Sequence, residues 1–295
     1  MRVNPYPMPD LLAALNQSEF EAQDAALQIS TGKSVNVPSD NPTAAALLVE
    51  NNDQATFNSG FLSDLTTING QLSAADSTLS SVQTALQQAL SLGVEAGNGT
   101  LSSSDQGAIV AQLQDIQSQV LSLANTSYQG NYLFSGTVIG TAPYSVDGND
   151  PSGVKYNGND DVNQVSVGSG YQLAINQPGS QLFSATGNSV FQALNDLITA
   201  VGSNTSVDTA VTELDSAADY LSVQTVFYGN ALDQVQSQTT YLDAAKLQIA
   251  QQQTSLGAAD LSSAATELSS AQTDTQAALE AISKFSGNSL FNYLS

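Results

Sequence analysis

Residues 61–89, FLSDLTTINGQLSAADSTLSSVQTALQQA, place apolar side chains at alternating steps of four and three. The leucines of this stretch recur once per heptad, at Leu65, Leu72, Leu79 and Leu86. Apolar residues at the a and d positions of successive heptads form the seam of a coiled coil. The pattern therefore predicts a long helix that packs through this seam and is broken by the glycines of segment 93–99.

Two further seams extend the pattern. One runs from Ile109 to Ser127 through Leu113 and Val120, after candidate N-cap residues at 102–105. Its short connection to the first seam predicts an antiparallel helical hairpin. The other repeats every seven residues through Leu214, Leu221, Tyr228, Val235, Leu242, Ile249 and Leu256. It predicts a continuous helix of about 45 residues, roughly 70 Å long, which suits a rod.

The two ends of the chain carry weaker stripes. The N-terminal stripe contains Leu11, Leu15, Ala22 and Ile29. Beyond a change of phase at Gly257, the C-terminal stripe contains Leu261, Ala264, Leu268, Ala271, Ala278, Ile282 and Phe285, with Leu290 and Leu294 following. These stripes are poor in large side chains, so each helix is marginal alone. We expect the end segments to pair with each other and with other copies, and to fold stably only on assembly.

Between the helical segments, residues 136–186 alternate apolar and polar side chains and are rich in Gly, Asn, Asp and Pro. This pattern predicts a small β-rich insertion with tight turns, including one at Pro178 and Gly179. The expected fold is mainly α, with a long antiparallel coiled-coil rod. Its domains are a terminal segment (1–40 and 257–295), a helical rod (41–135 and 187–256) and the outer insertion (136–186).

Composition excludes several functions. The chain has no Cys, no His and only five basic residues, with a net charge of −22. Disulfides, thiolate nucleophiles and Ser–His–Asp triads are therefore excluded, and no cofactor or metal is expected. Five scattered cations do not make a nucleic-acid surface. No apolar run is long enough for membrane insertion, and the opening residues lack the apolar core of a secretory signal. We expect no enzymatic activity.

The insertion leaves two other interpretations open. The acidic stretches 147–150 and 159–161 lack the ligand spacing of an EF-hand loop, and turns in solvent are the favoured interpretation. Three tyrosines, Tyr144, Tyr156 and Tyr171, allow the alternative of a carbohydrate- or surface-binding module on a helical rod.

Two segments resemble a known family. ISTGKSVNVPSDNPTAA, residues 29–45, is similar to the segment that follows the first helix of flagellin-like proteins. The stretch from Leu256 to Leu294 resembles the terminal coiled-coil helix of the same superfamily. YLFSG at 132–136, SLFNYL at 289–294 and the opening MRV resemble the hook–filament junction proteins within it. Lys33 stands where Arg is common in the family.

This resemblance implies a structural subunit of the bacterial flagellum that joins hook to filament. It implies export in an unfolded state without a cleaved signal peptide, with an export chaperone on the C-terminal segment. Outside the cell, copies would assemble in a ring or helical array beside a neighbouring hook-associated protein and flagellin. A filament flagellin proper is the alternative within the superfamily.

Overall fold

Helices dominate the structure. The computed structural model describes residues 8–98, 101–168 and 170–291, with side chains as far as Lys284 in the last helix. The described residues form seven helices, which are α1 (Met8–Thr31), α2 (Pro42–Gly97), α3 (Ser103–Ala124), α4 (Gly179–Leu182), α5 (Val190–Ser203), α6 (Val207–Gly257) and α7 (Leu261–Phe291). The predicted fold class, mainly α with a small β-rich insertion, is confirmed.

Short strands lie between α3 and α4. They are β1 (Ser127–Tyr128), β2 (Asn131–Tyr132), β3 (Tyr144–Val146), β4 (Val154–Tyr156), β5 (Gln164–Gly168) and β6 (Tyr171–Ala174). β1 pairs with β2, β3 with β4 and β5 with β6, and each pair is a two-stranded antiparallel sheet. The Pro178–Gly179 step differs from the predicted turn, because Pro178 caps α4 and Gly179 begins it.

Contacts divide the chain into two units. Unit 1 comprises Met1–Asn58 and Ala244–Ser295, and unit 2 comprises Ser59–Asp243. The division cuts α2 and α6 internally and leaves the β strands in unit 2. It therefore differs from the three domains expected from the sequence, whose boundaries followed helix breaks and changes of composition.

Unit 2 is built on the predicted hairpin of α2 and α3. Gln88 and Leu92 of α2 line one groove with Gln112 and Ile116 of α3. Gln88 and Gln112 each lie nine residues from the adjoining helix end, as expected of antiparallel neighbours. Ser102 begins α3 with a capping box. Its hydroxyl accepts from the Asp105 backbone N–H at 3.3 Å, while the Asp105 carboxylate accepts from the Ser102 N–H.

One boundary of these helices matches the expectation and one differs from it. α2 ends at Gly97, within the glycine segment 93–99, although Gly93 itself is still helical. At Gly93 a Cβ atom would lie 2.7 Å from Val211 Cγ2 and 3.1 Å from Leu197 Cδ1. The glycine therefore permits close packing of these α6 and α5 side chains against α2. α3 ends at Ala124, and Ser127, which the sequence placed on the second seam, lies in β1.

The third seam is one helix. α6 spans 51 residues and ends at Gly257, where the sequence pattern changes phase. After three residues α7 begins at Leu261. α5 was not predicted from the sequence, although its apolar residues are among the most buried in unit 2.

Candidate assembly interface

In unit 1 the two terminal helices pack on each other. Small side chains are buried along this contact: Ser18 and Ala25 from α1, and Ala264, Ala271 and Ala278 from α7. Most of the other predicted interface residues are half-buried in the single chain, namely Leu11, Leu15, Ala22, Leu268 and Ile282. Two others are exposed, Ile29 at 38% and Leu261 at 54%. The side chains of Phe285 and Leu290, and all of Leu294, lie outside the described residues.

The small size of the buried residues limits how strongly α1 and α7 hold each other. Burial of a methyl group contributes about 0.8 kcal/mol, whereas burial of a whole leucine side chain contributes roughly 1.5–3 kcal/mol. Ordering the backbone costs about 1–2 kcal/mol per residue. A seam of Ser18, Ala25, Ala264, Ala271 and Ala278 therefore gives the helix pair little stability of its own.

The opposite side of α1 carries three large apolar side chains, interspersed with the polar Asn16 and Gln23. Leu12, Phe20 and Leu27 are 47%, 68% and 43% exposed. At 100° per residue these three side chains fall within an arc of about 80°, centred opposite Ser18 and Ala25. We call Leu12, Phe20 and Leu27 the outer face of α1. This face was not predicted from the sequence, although the spacings of eight and seven residues were a detectable signal.

At the junction between α1 and α2, residues 32–41 form a compact turn that is fixed by side chains. Both Asn36 and Val37 donate their backbone N–H groups to Asp40 Oδ2, at 2.8 and 2.9 Å. Asn41 caps α2 by accepting from the Ala44 N–H at 3.0 Å, and Pro42 takes the first helical position. The motif that resembles flagellin-like proteins is thus a helix-start signal.

A backbone bridge joins this turn to the break between α6 and α7. Lys33 and Ala258 form an isolated antiparallel pair. The Ser34 N–H donates to Gly257 O at 2.8 Å, and the Ala259 N–H donates to Gly32 O at 3.0 Å. We call these two hydrogen bonds the clasp. They connect segments more than 220 residues apart in the sequence.

The structure buries all ten residues predicted for the rod core. Nine of them lie in unit 2: Leu65, Leu72, Leu79, Leu86, Leu113, Val120, Leu214, Leu221 and Leu242. Ile249, at 6% exposure, lies in unit 1. Unit 2 therefore has a core of large side chains, in contrast to the small ones between α1 and α7.

The segment Tyr132–Gly136, YLFSG, forms a buried corner in unit 2. Phe134 is fully buried, and its carbonyl oxygen accepts from the Gly179 N–H at 2.7 Å and the Tyr156 hydroxyl at 3.0 Å. Gly136 has φ of 73°, and its carbonyl oxygen accepts from Asn176 Nδ2 at 3.1 Å. This second motif joins the β strands to α4.

The tyrosines do not form a shared binding surface. Tyr144 is 2% exposed and packs against Phe183 and Phe191, and Tyr156 directs its hydroxyl to Phe134 O. Because Tyr144 is buried, it cannot contact a ligand at the surface, which counts against the alternative of a binding module based on Tyr144, Tyr156 and Tyr171. Burial raises the pKa of the Tyr144 and Tyr228 hydroxyls above their ordinary value.

The acidic loop residues are engaged in turns. Asp147 Oδ1 accepts from the Asn149 N–H, and Asp150 Oδ1 accepts from the N–H and hydroxyl of Ser152. The hydrogen bonds from Ser152 lower the pKa of Asp150. Among the residues that the structure describes, no three potential ligands gather as a metal site. Within the same described ranges, no helix is both long and apolar enough to cross a membrane.

Comparison with known proteins agrees with this architecture. Residues 7–138 match the bacterial flagellin N-terminal helical region. Flagellar hook-associated protein 3 of Salmonella typhimurium is 35% identical over 181 residues, which are 61% of this chain and 56% of that protein. The protein of the same name from Escherichia coli is 34% identical over 181 residues, again 61% of this chain and 56% of that protein. The alignment thus spans little more than half the length of these relatives.

Solved structures share the fold. The flagellar junction protein FlgL of Legionella pneumophila has a TM-score of 0.61 at 14% identity, over 72% of this chain and 100% of that chain. Bacillus cereus FlgL has a TM-score of 0.58 at 21% identity, over 70% of this chain and 99% of that chain. The chain is therefore similar in sequence to flagellar hook-associated protein 3 and in fold to flagellar junction proteins.

Proposed function

We propose that this chain is a structural subunit of the bacterial flagellum, located outside the cell, which joins hook to filament and has no catalytic role. The names of its relatives support this assignment. The observation that carries it is the outer face of α1, where three large apolar side chains on one side of the helix are 43–68% exposed. A structural subunit needs such a face to bind its neighbours.

The outer face suits another helix of the same protein. Single exposed apolar residues are common on protein surfaces, but a stripe along one helix is typical of a helix-docking surface. Leu12, Phe20 and Leu27 span about four turns of the 24-residue helix α1. The occupant in this proposal is a terminal helix of a second copy.

Folding of the ends is coupled to assembly in this proposal. The seam between α1 and α7 is lined by alanine and serine, so the pair is marginal by itself. Cover from a neighbouring copy would bury the exposed part of Leu12, Phe20 and Leu27, which is roughly half of each side chain and contributes about 1–1.5 kcal/mol apiece. The terminal helices would thus become stably ordered where copies meet.

The remaining partners follow from the family resemblance. The chain would be exported unfolded without cleavage of a signal peptide, with an export chaperone on its C-terminal segment. In the flagellum it would contact its own copies, a neighbouring hook-associated protein and flagellin. Neither nucleic acid nor a membrane-inserted segment is part of this proposal.

The outer face provides the test. A triple variant, Leu12→Gln, Phe20→Gln and Leu27→Gln, should keep the helical circular dichroism spectrum of the isolated protein, because none of these side chains is buried. Expressed in cells that lack the native copy, it should leave hooks without filaments in electron micrographs.

The matched control is Val223→Gln with Val226→Gln, which replaces two exposed apolar residues of α6 in unit 2 at 67% and 57% exposure. This control should restore filaments. Filaments at equal frequency in both variants would reject the proposal. Long homopolymers of purified chain grown from isolated hooks would instead identify a filament flagellin.

A further inference from the structure

The packing between α1 and α7 does not by itself fix how the two helices are aligned. Ala264, Ala271 and Ala278 are buried at intervals of seven residues on α7, and Ser18 and Ala25 at the same interval on α1. If α7 slid by one heptad, alanine would replace alanine at two of these three positions, and Phe285 or Gly257 would come to the third. At the two shared positions, small side chains of equal shape discriminate weakly between the alignments.

The clasp restricts how α7 can be aligned on α1. Its two hydrogen bonds flank Lys33 and Ala258, which makes them a non-hydrogen-bonded antiparallel pair. α1 ends at Thr31, two residues before Lys33, and α7 begins at Leu261, three residues after Ala258. Such short connections leave little freedom for either helix to slide along the other.

Local hydrogen bonds hold each side of the clasp in place. On one side, the Lys33 N–H donates to Thr31 Oγ1 at 3.2 Å, and Asn36 Nδ2 donates to Lys33 O at 2.9 Å. On the other, Asp260 Oδ1 accepts from the Ser262 and Ser263 N–H groups at 2.9 and 3.2 Å and so fixes the start of α7.

We propose that the clasp sets the alignment of α7 on α1. A slide of one heptad moves a helix by about 10 Å along its axis. That displacement breaks both clasp hydrogen bonds, which form only when Lys33 lies opposite Ala258. Residues at similar distances from the clasp then face each other, and Ala25 meets α7 near Ala264. This role lies within one chain and does not depend on the proposed flagellar function.

Engineered cysteine pairs report the alignment directly, because the native chain contains no cysteine. In one variant Ala25→Cys is combined with Ala264→Cys, and in a second with Ala271→Cys. A disulfide requires Cα atoms within about 7 Å, so a heptad shift changes which pair reacts. Mild oxidation of the dilute full-length monomer traps α1 and α7 whenever they pair, so it tests alignment even where the pair is only marginally stable. It should cross-link the first pair at least tenfold faster than the second.

Breaking the clasp should remove this preference. Ser34→Pro and Ala259→Pro each delete one of the two donor N–H groups, whereas the matched controls Ser34→Ala and Ala259→Ser keep them. In the proline variants the two pairs should cross-link at rates within a factor of about two of each other. The controls should retain the native preference.

Three outcomes would overturn the proposal. They are equal cross-linking of both pairs with the clasp intact, an unchanged preference in the proline variants, and loss of both cross-links in them.

A non-disruptive variant gives an independent measurement. Lys33→Cys with Ala258→Cys should form a disulfide readily, since Cα atoms of such a pair lie about 4.5 Å apart. Failure of this disulfide to form would show that the clasp is open. All these measurements use monomer, so they are separate from any failure to assemble.

Discussion

Tyr144 shows how single side chains organise the centre of unit 2. Its hydroxyl donates to Gly179 O at 2.7 Å and lies 3.1 Å from Ser184 Oγ, while its ring packs 4.9 Å from that of Phe191. Burial raises the pKa of this hydroxyl above its ordinary value of about 10. The folded protein therefore keeps Tyr144 protonated where the unfolded chain releases the proton.

This difference predicts loss of stability at alkaline pH. Below pH 10 both states hold the proton, and the pKa shift has no effect on stability. Above pH 10 the unfolded state binds fewer protons, so the free energy of unfolding falls by about 1.4 kcal/mol per pH unit for each such group. Tyr144→Phe should reduce this slope by about 1 kcal/mol per pH unit in urea unfolding between pH 10 and 11.

Tyr144→Phe should also cost about 1 kcal/mol at pH 8, through loss of the hydrogen bond to Gly179. Tyr228, whose buried hydroxyl also has a raised pKa, keeps part of the alkaline slope in the variant. Identical slopes for the wild type and Tyr144→Phe would contradict the role given to Tyr144.

The long helices follow from local pattern. Leu65 to Leu86 and Leu214 to Ile249 repeat every seven residues, so helix type and buried face could be predicted from the sequence alone. The end of α6 at Gly257 was likewise marked by a change of phase. Such features are local, because one helix brings its own heptad positions onto one face.

Not every missed feature lacked a local signal. α5, VFQALNDLITAVGS, carries its apolar residues on one face of about half the helix circumference, and it was missed because this broad 14-residue face is not a heptad seam. Gly93 stays helical because Val211 and Leu197 pack against it, which outweighs its propensity cost of about 1 kcal/mol. The outer face of α1 was missed because α1 carries two apolar stripes, and the one through Leu11 and Leu15 alone was assigned to an interface.

The YLFSG corner provides a test at the level of one connection. Gly136 has φ of 73°, and a Cβ atom there would overlap Asn159. Gly136→Ala should therefore lower the free energy of unfolding by roughly 2–4 kcal/mol, from backbone strain and displacement of Asn159. Urea denaturation followed by circular dichroism measures the change.

Gly140→Ala is the matched control in the same loop. A Cβ atom at Gly140 has no neighbour within 4 Å, and its φ is not positive. Its effect should stay within about 0.5 kcal/mol. Equal stability of the two variants would show that the corner tolerates a side chain and that Asn159 moves without cost.

Across the whole molecule, charge opposes association while apolar surface favours it. The net charge is −22, so copies repel one another in dilute buffer. Basic residues are unevenly placed, with Lys155 in the range of unit 2 and Arg2, Lys33, Lys246 and Lys284 in the ranges of unit 1. Opposite-charge contacts between copies are therefore more readily made by unit 1.

These opposing terms predict that salt promotes ordering of the chain ends. Raising the ionic strength from about 0.05 to 0.5 M shortens the Debye length to a few ångströms and weakens repulsion between copies. In concentrated protein, light scattering should then rise faster, and hydrogen exchange of the amides in α1 and α7 should slow at least tenfold. Amides in α3 and α5 lie in the core of unit 2 and should not change.

A dilute monomer whose α1 and α7 are already as protected as α3 and α5 would disprove folding coupled to assembly. Scattering that does not respond to salt would show that charge is not the barrier.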